Sequence, residues 1–130
     1  VISIDVKKSF FGKYEVWIQS GKKNTKKNPT EIAKMVESSG AGEIIITSID
    51  CDGMMNGYDI SLIKSISNSV SIPVVACGGA GSLEHFKTAF NEGNAHGLAA
   101  GSIFVYHGPR KGILINYPNE VEKRKIFLEN

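Results

Sequence analysis

The chain has 130 residues, of which 42% are hydrophobic and 22% are charged, with a formal net charge of +2. These values predict one α/β domain with its own core and are too polar for a membrane span. We expect neither a nucleic acid nor a membrane partner. Cys51 and Cys77 lack metal-ligand spacing, which favours reduced thiols and a cytoplasmic location. The sequence opens inside an apolar strand without methionine, which is typical of a piece of a longer protein.

In chain order, the sequence predicts four strand–helix units followed by a charged helix. The predicted core strands are Val1–Val6, Glu43–Ile49, Val74–Cys77 and His96–Gly101. The first three predicted helices begin after the capping residues Asn28, Asp59 and Ser82, and a charged helix is predicted over Asn119–Leu128. Phe10–Gln19 alternates around Gly12-Lys13, which predicts a small hairpin inside the long first connection. The segment Ile113–Tyr117 is ambiguous between strand and loop.

A glycine-rich turn follows the third strand. Gly78, Gly79 and Gly81 carry no side chain, and Ser82 can cap the helix that comes next. A strand, a bare turn and a helix N-terminus together place several N–H groups at one spot, as an anion cradle does. The alternative is a tight turn that needs glycine only for its backbone conformation.

Two architectures fit four consecutive βα units: an open doubly wound sheet, or part of a TIM (βα)8 barrel. Polar and glycine residues cluster where the predicted strands end, and barrel enzymes keep their chemistry at these ends. Only the barrel predicts phosphate-binding glycine turns after two neighbouring terminal strands. The pattern therefore favours four βα units of a barrel.

Several motifs resemble the cyclase subunit of imidazole glycerol phosphate synthase, and the match runs from residue 1 to about Phe104. The motifs are Ile4–Lys7, Ser20–Thr25, Gly40–Gly53, Gly57–Asp59, Gly78–Gly81 and Ala99–Phe104. The chain resembles the C-terminal half of that barrel, strands 5–8, so we expect residues 1–130 to form one half-barrel.

The resemblance implies a lyase of histidine biosynthesis that takes ammonia from a glutaminase subunit and closes an imidazole ring on a phosphorylated substrate. It implies neither a metal nor another cofactor. Asp5 matches a catalytic acid/base aspartate, and Glu43 matches a charged residue at the ammonia entrance. The residues that match substrate-lining positions are Thr47, Ser48, Asp52 and Gly53. The residues expected at the phosphate are Gly78, Gly79, Gly101 and Ser102.

Lys22 and Lys23 match a mobile loop over the mouth of the family's barrel. The segment His107–Pro118 departs from the histidine-pathway pattern and resembles paralogues that pass ammonia toward an amidino group on a surface-polysaccharide sugar. Two further alternatives are the related barrel isomerase of the same pathway and a non-catalytic phosphate-binding half-barrel. We expect the chain alone to be inactive and to self-associate, with Ile44, Ile46, Val75 and Leu98 on an uncovered face.

Overall fold

A six-stranded mixed sheet carries the fold of this computed structural model, which describes residues 1–128. Residues 129 and 130 of the predicted domain lie outside the described residues. The strands are β1 (Ile2–Lys8), β2 (Tyr14–Ile18), β3 (Lys23–Asn24), β4 (Ile44–Ser48), β5 (Val74–Cys77) and β6 (Gly97–Leu98). They lie in the order β3-β2-β1-β4-β5-β6, and a separate two-stranded sheet contains β7 (Tyr106–His107) and β8 (Gly112–Ile113).

Within residues 1–128, five helices accompany the strands. They are α1 (Pro29–Ser38), α2 (Ile60–Ser67), α3 (Leu83–Asn91), α4 (Ser102–Val105) and α5 (Glu120–Phe127). The three predicted caps are confirmed, since the side chains of Asn28, Asp59 and Ser82 each accept a backbone N–H of the following first turn. Asn119 caps α5 in the same way. None of the helices described is long and apolar enough to cross a membrane.

The central strands run parallel and in a register that aligns their carboxyl ends. Asp5 of β1 lies beside Thr47 of β4, and Thr47 lies beside Cys77 of β5. Short near-continuous apolar strands joined through helices produce this arrangement. The predicted α/β fold with a parallel-rich sheet is confirmed, whereas its closure with a second half into a barrel stays a proposal.

The helices cover one face of the sheet, and this corrects our assignment of the uncovered side chains. Ile44 and Ile46 are 0% and 1% exposed, so they lie under the helices. Leu98 is in register with the buried Ala76 and packs against the same core. Only Val75 of the four expected residues lies on the other face. The prediction was wrong because strand side chains alternate, and the chain offers apolar residues on both faces.

The predicted hairpin is present, but its first arm is the core strand itself. β1 pairs antiparallel with β2 from Asp5 opposite Trp17 to Lys8 opposite Tyr14. Phe10 therefore lies in the connecting turn and not in a strand. Because this pairing begins only at Asp5, the corresponding edge of Ile2–Ile4 takes no partner from β2.

The fourth core strand is shorter than predicted. Only Gly97–Leu98 forms β6, although the N–H groups of His96 and Ala99 still donate to β5 carbonyls. An edge position explains the shortening, since no further strand of the described chain pairs with β6. Of the ambiguous segment, Ile113 belongs to β8, and Tyr117 packs its ring 5.0 Å from that of Phe104.

Candidate functional site

Two neighbouring cavities open at the carboxyl edge of the parallel strands. The first has a volume of about 420 Å³ and is lined by Asp5, Ser20, Gly21, Thr47, Ile49 and Asp52. The second, of about 30 Å³, is lined by Asp52, Gly53, Cys77, Gly78, Gly79, Ala80, Ala100, Gly101 and Ser102. Asp52 borders both cavities, so the two adjoin at this residue.

The first cavity brings Asp5 and Thr47 together on the uncovered face of the sheet. The two residues are register partners on adjacent strands, and both are half-buried. Ser48 is placed differently, because it is the next residue along β4 and points its side chain to the helix-covered face, where it is 5% exposed. Its carbonyl accepts the N–H groups of Cys51 and Asp52, at 3.2 and 3.0 Å. Ser48 therefore shapes the turn through its backbone.

The loop after β4 contains two aspartates with different contacts. Asp50 accepts the backbone N–H of Lys8 at 2.9 Å, which ties the loop to the end of β1. Asp52 instead lines the cavities. The backbone N–H of Ile49 adds a second tie by donating to the carbonyl of Val6 at 2.9 Å. The loop is thus held on the strand that carries Asp5.

The turn at Gly78 and Gly79 tolerates no side chain. Both residues have positive φ angles, +88° and +111°. A Cβ at Gly79 would lie 2.1 Å from the Gly57 carbonyl oxygen, and a Cβ at Gly78 would lie 2.9 Å from that of Ser48. The left-handed conformation and the close backbone approach both require glycine. The wall of the second cavity is consequently backbone.

Gly101 and Ser102 form the opposite wall of the second cavity. Gly101 has a φ of −121°, and no heavy atom lies within 4 Å of a Cβ built there. This glycine is therefore not required by backbone strain or by a neighbouring group in the described chain. Because Gly101 has no side chain, only its backbone contributes to this wall. Ser102 adds a hydroxyl at the start of α4.

The segment Gly57-Tyr58 connects the two walls. The Gly57 N–H donates to the Gly79 carbonyl at 2.8 Å, and the Tyr58 hydroxyl donates to the Ala99 carbonyl at 2.9 Å. Burial, with a smaller contribution from Cys77, raises the pKa of Tyr58 far above its ordinary value, so the hydroxyl stays a donor at neutral pH. These two adjacent residues therefore link the turn after β5, through Gly57, to the turn after β6, through Tyr58.

A polar network fixes the hairpin next to the site. The Tyr14 hydroxyl donates to Asp59 Oδ1 at 2.7 Å, and Lys8 Nζ lies 3.4 Å from Asp59 Oδ2. Asp59 also accepts the Leu62 N–H as the cap of α2. Desolvation and the bond to Asp59 raise the pKa of Tyr14. A hydrogen bond with Tyr14 is the largest cause of the raised pKa of Lys8, followed among the raising causes by the charge of Asp59.

Glu43 lies at the other end of the sheet. It precedes β4, so roughly 13 Å of strand separates it from Thr47. Its side chain is half-buried, and its carbonyl accepts the Ile2 N–H at 3.0 Å. The structure therefore keeps Glu43 apart from the cavities, at the amino ends of the strands.

Residues 1–110 match the family model described as histidine biosynthesis protein. The chain belongs to this family. Two proteins that are similar to this chain are named imidazole glycerol phosphate synthase subunit HisF. One, provisionally so named in Leptospira borgpetersenii, is 48% identical over 98% of this chain and 50% of its own length. The other, from Alkaliphilus metalliredigens, is 46% identical over 82% of this chain and 42% of its own length.

A third relative is provisionally named subunit hisF2 in Pseudomonas aeruginosa, with 42% identity over 90% of this chain and 47% of its own length. These matches confirm the resemblance to HisF-like cyclase subunits that the motifs predicted. The chain spans about half the length of the curated relatives it matches.

Within this family assignment, Tyr58 and the Tyr14–Asp59 pair are features that sequence reasoning assigned no role. Tyr58 is the central residue of the Gly57–Asp59 motif, which is the signal that could have found it. His85 and His96 received no role, and both use Nδ1 to accept a backbone N–H, from Gly81 and Val74 respectively. Among residues 1–128, no group of three or more His, Cys, Asp or Glu is arranged to hold a metal ion.

The Tyr58 link leads to a stability prediction. Tyr58→Phe keeps the ring that packs 6.1 Å from Phe86 but leaves the Ala99 carbonyl without its donor. We expect the free energy of unfolding to fall by about 1 kcal/mol, the usual net value of such a hydrogen bond. Urea denaturation measures it, with Tyr106→Phe, at a 40% exposed position, as the matched control. Equal stabilities of wild type and Tyr58→Phe would show that the link contributes nothing.

Proposed function

We propose that the chain is the C-terminal half, strands 5–8, of a HisF-like (βα)8 barrel that acts as the cyclase subunit of imidazole glycerol phosphate synthase. The supporting observation is the placement of Asp5 in a cavity that adjoins a glycine-walled cavity at the same strand edge. The family match, the relatives named HisF and the coverage of half their length support the same assignment.

The half-barrel proposal rests on the uncovered face and on one open edge. Ile45, Val75 and Cys77 lie on the face opposite the helices and are only half-buried. The unpaired edge of Ile2–Ile4 has the length of a strand pairing, and a preceding strand of the other half would fill it. In the closed barrel, this face would become the interior and the carboxyl edge would become the mouth.

In this proposal, Asp5 moves protons between the substrate and the attacking ammonia at the barrel mouth. A general acid or base needs only to reach the reacting atoms within hydrogen-bonding distance, and Asp5 is held for that task within β1, between Trp17 of β2 and Thr47 of β4. A pair of carboxylates suits ring closure, because one can be held protonated as the acid while the other stays ionised as the base. The second aspartate would come from the first strand of the absent half, as the family resemblance implies.

The second cavity would hold one phosphate of the substrate. Backbone groups of Gly78, Gly79 and Gly101 form its walls, and the Ser102 hydroxyl adds a donor, so the site offers little that repels an anion. Asp52 is the exception, because its carboxylate also reaches this cavity. We assign Asp52 to the substrate hydroxyls between the phosphate and the reacting end, where a carboxylate accepts hydrogen bonds. Thr47 and Gly53 complete that contact surface, and Ser48 supports it from behind.

Ammonia would enter from the opposite end, past Glu43, and pass along the uncovered face to Asp5. The glutaminase subunit would therefore dock at the amino ends of the strands, away from the substrate. Lys22 and Lys23 follow Ser20-Gly21 at the rim of the first cavity and would attract the phosphorylated substrate. The chain alone would be inactive because the second aspartate and the second half of the mouth are missing from it. A cytoplasmic location stays a prediction.

A second candidate is the paralogous amidotransferase subunit that delivers ammonia to a surface-polysaccharide sugar. The observation that favours it is the segment His107–Pro118, most of which lies beyond the family match that ends at residue 110. The β7–β8 hairpin leads into this segment before α5. Asp5 and the glycine-walled cavity would serve either substrate. Formation of imidazole glycerol phosphate by the longer protein with its glutaminase selects the first candidate.

The role of Asp5 is tested by Asp5→Asn in the full-length protein with its glutaminase. The amide keeps the size of the side chain but cannot exchange a proton at neutral pH, so turnover should fall by about 10² or more with little change in substrate binding. Asp50→Asn is the matched control, because asparagine can still accept the Lys8 N–H, and its turnover should stay near wild type. Turnover of Asp5→Asn within about twofold of wild type would remove Asp5 from the mechanism.

The uncovered face predicts self-association of the 130-residue chain, most simply as a two-fold dimer. Burial of each aliphatic side chain on this face contributes about 1.5–3 kcal/mol, and two-fold pairing closes on itself. Sedimentation at micromolar concentration should show a dimer that Ile45→Lys dissociates. Ile115→Lys, at an 84% exposed position, should leave it intact. A wild-type monomer under these conditions would contradict the half-barrel proposal.

A further inference from the structure

Two phenylalanines project from the tip of the β1–β2 hairpin. Phe10 and Phe11 are 98% and 92% exposed, and their rings contact each other edge to face at 5.5 Å between centroids. The turn beneath them is ordered, since Ser9 N–H donates to the Lys13 carbonyl at 2.8 Å and Gly12 N–H donates to the Ser9 carbonyl at 2.9 Å. The fold thus presents an aromatic pair to solvent on a defined turn.

The segment that carries this tip is strongly basic. Residues 7–27 contain seven lysines and one acidic residue, which gives a formal charge of +6. The whole chain has a charge of +2, so the remaining residues together carry −4. The lysines are Lys7, Lys8, Lys13, Lys22, Lys23, Lys26 and Lys27. Within this segment, Lys7, Lys8 and Lys13 flank the aromatic tip, whereas Lys22 and Lys23 lie at the far end of β2, where Lys23 is in register with Ile18.

Most of these lysines are free to meet an external anion. Lys8 pairs with Asp59 and Lys26 lies 3.9 Å from Glu15, while Lys7 lies over the Trp17 ring at 5.4 Å. Of these seven lysines, the exposed ones that join no ion pair with the described residues are Lys13, Lys22, Lys23 and Lys27. The carbonyl of Lys13 closes the tip by accepting the Ser9 N–H. The carbonyl of Lys27 accepts the Val16 N–H, and the Lys27 side chain takes part in no ion pair with the described residues.

We propose that the hairpin tip, residues 9–13, docks on an anionic lipid bilayer, with the rings of Phe10 and Phe11 in the interfacial region and the flanking lysines Lys7, Lys8 and Lys13 against the headgroups. Paired aromatic rings with adjacent lysines suit an interface that is apolar below and anionic above. A small phosphorylated substrate would neutralise lysines but leave both rings in water. The contact is at the surface and requires no spanning helix, and it replaces our expectation that no membrane is involved.

The docked orientation follows from the position of the tip. Ser9 lies four residues beyond Asp5, roughly 13 Å along the strand direction. A bilayer contact at the tip would therefore hold the cavity edge of the sheet close to the lipid surface. This inference does not depend on the proposed cyclase activity, since it uses only the tip and the charges of the hairpin.

Vesicle sedimentation tests the proposal with the purified protein. We expect binding to phosphatidylcholine vesicles that contain phosphatidylglycerol to exceed binding to phosphatidylcholine alone by at least about tenfold, and to weaken in high salt. The double variant Phe10→Ser, Phe11→Ser should lose at least about tenfold in partitioning, because two rings no longer enter the interface. The matched control is Ile113→Ser, Ile115→Ser, which removes two side chains that are 79% and 84% exposed. It should bind as wild type does.

Circular dichroism of each variant confirms that the fold is kept. Equal binding of the Phe10→Ser, Phe11→Ser variant and wild type would overturn the proposal, as would equal binding to neutral and anionic vesicles. Absence of vesicle binding together with binding to single-stranded RNA would overturn it in favour of nucleic acid. Loss of vesicle binding equal in the control and tip variants would also overturn it, since the effect would then belong to general hydrophobicity.

Discussion

The parallel register of β1, β4 and β5 is the constraint on which the rest of the structure depends. It places Asp5, Thr47 and Cys77 side by side where the strands end. Because side chains alternate along a strand, the same register sends Val6, Ser48 and their neighbours to the helices. A shift by one residue would exchange the two faces, bury Asp5 in the core and expose the isoleucines. The cavity and the core are therefore determined by one alignment.

Backbone contacts then determine the shape of the glycine-walled cavity. Gly79 lies against the Gly57 carbonyl so closely that a side chain cannot fit, and the Gly57 N–H bonds the Gly79 carbonyl in return. Tyr58 extends this contact to the turn after β6. Since backbone positions are less mobile than long side chains, such a wall is preorganised for a rigid anion. The shape of the cavity thus derives from two glycines and one buried tyrosine.

Local signals in the sequence predicted much of this arrangement. Capping residues and apolar runs gave correct helix starts and core strands, because these depend on neighbours only a few residues away. The turn at Gly78 and Gly79 was located for the same reason. Ser48 was expected beside Asp52, but its side chain points to the other face, which only the register reveals. The Tyr14–Asp59 bond joins residues 45 positions apart, and no local pattern encodes such a contact.

The hairpin shows a second limit of sequence reasoning. Alternation in Phe10–Gln19 indicated a strand pair, but the partner strand proved to be the end of β1. Pairing with a core strand moves Phe10 from an arm to the tip, where it becomes exposed. The prediction that Ile44 and Ile46 lie on the uncovered face was wrong for a similar reason. A strand that is apolar on both faces does not show which face the helices cover.

The central claim is that the glycine-walled cavity at the strand ends binds a phosphate group. Titration of inorganic phosphate into the isotope-labelled chain, followed by backbone amide chemical shifts, tests it most directly. The account predicts that the largest shifts occur at Gly53, Gly79, Gly101 and Ser102, with Gly12 and Gly42 unchanged, and that Gly79→Val abolishes them. Largest shifts in the lysine-rich segment 22–27, with the cavity glycines unmoved, would contradict the account.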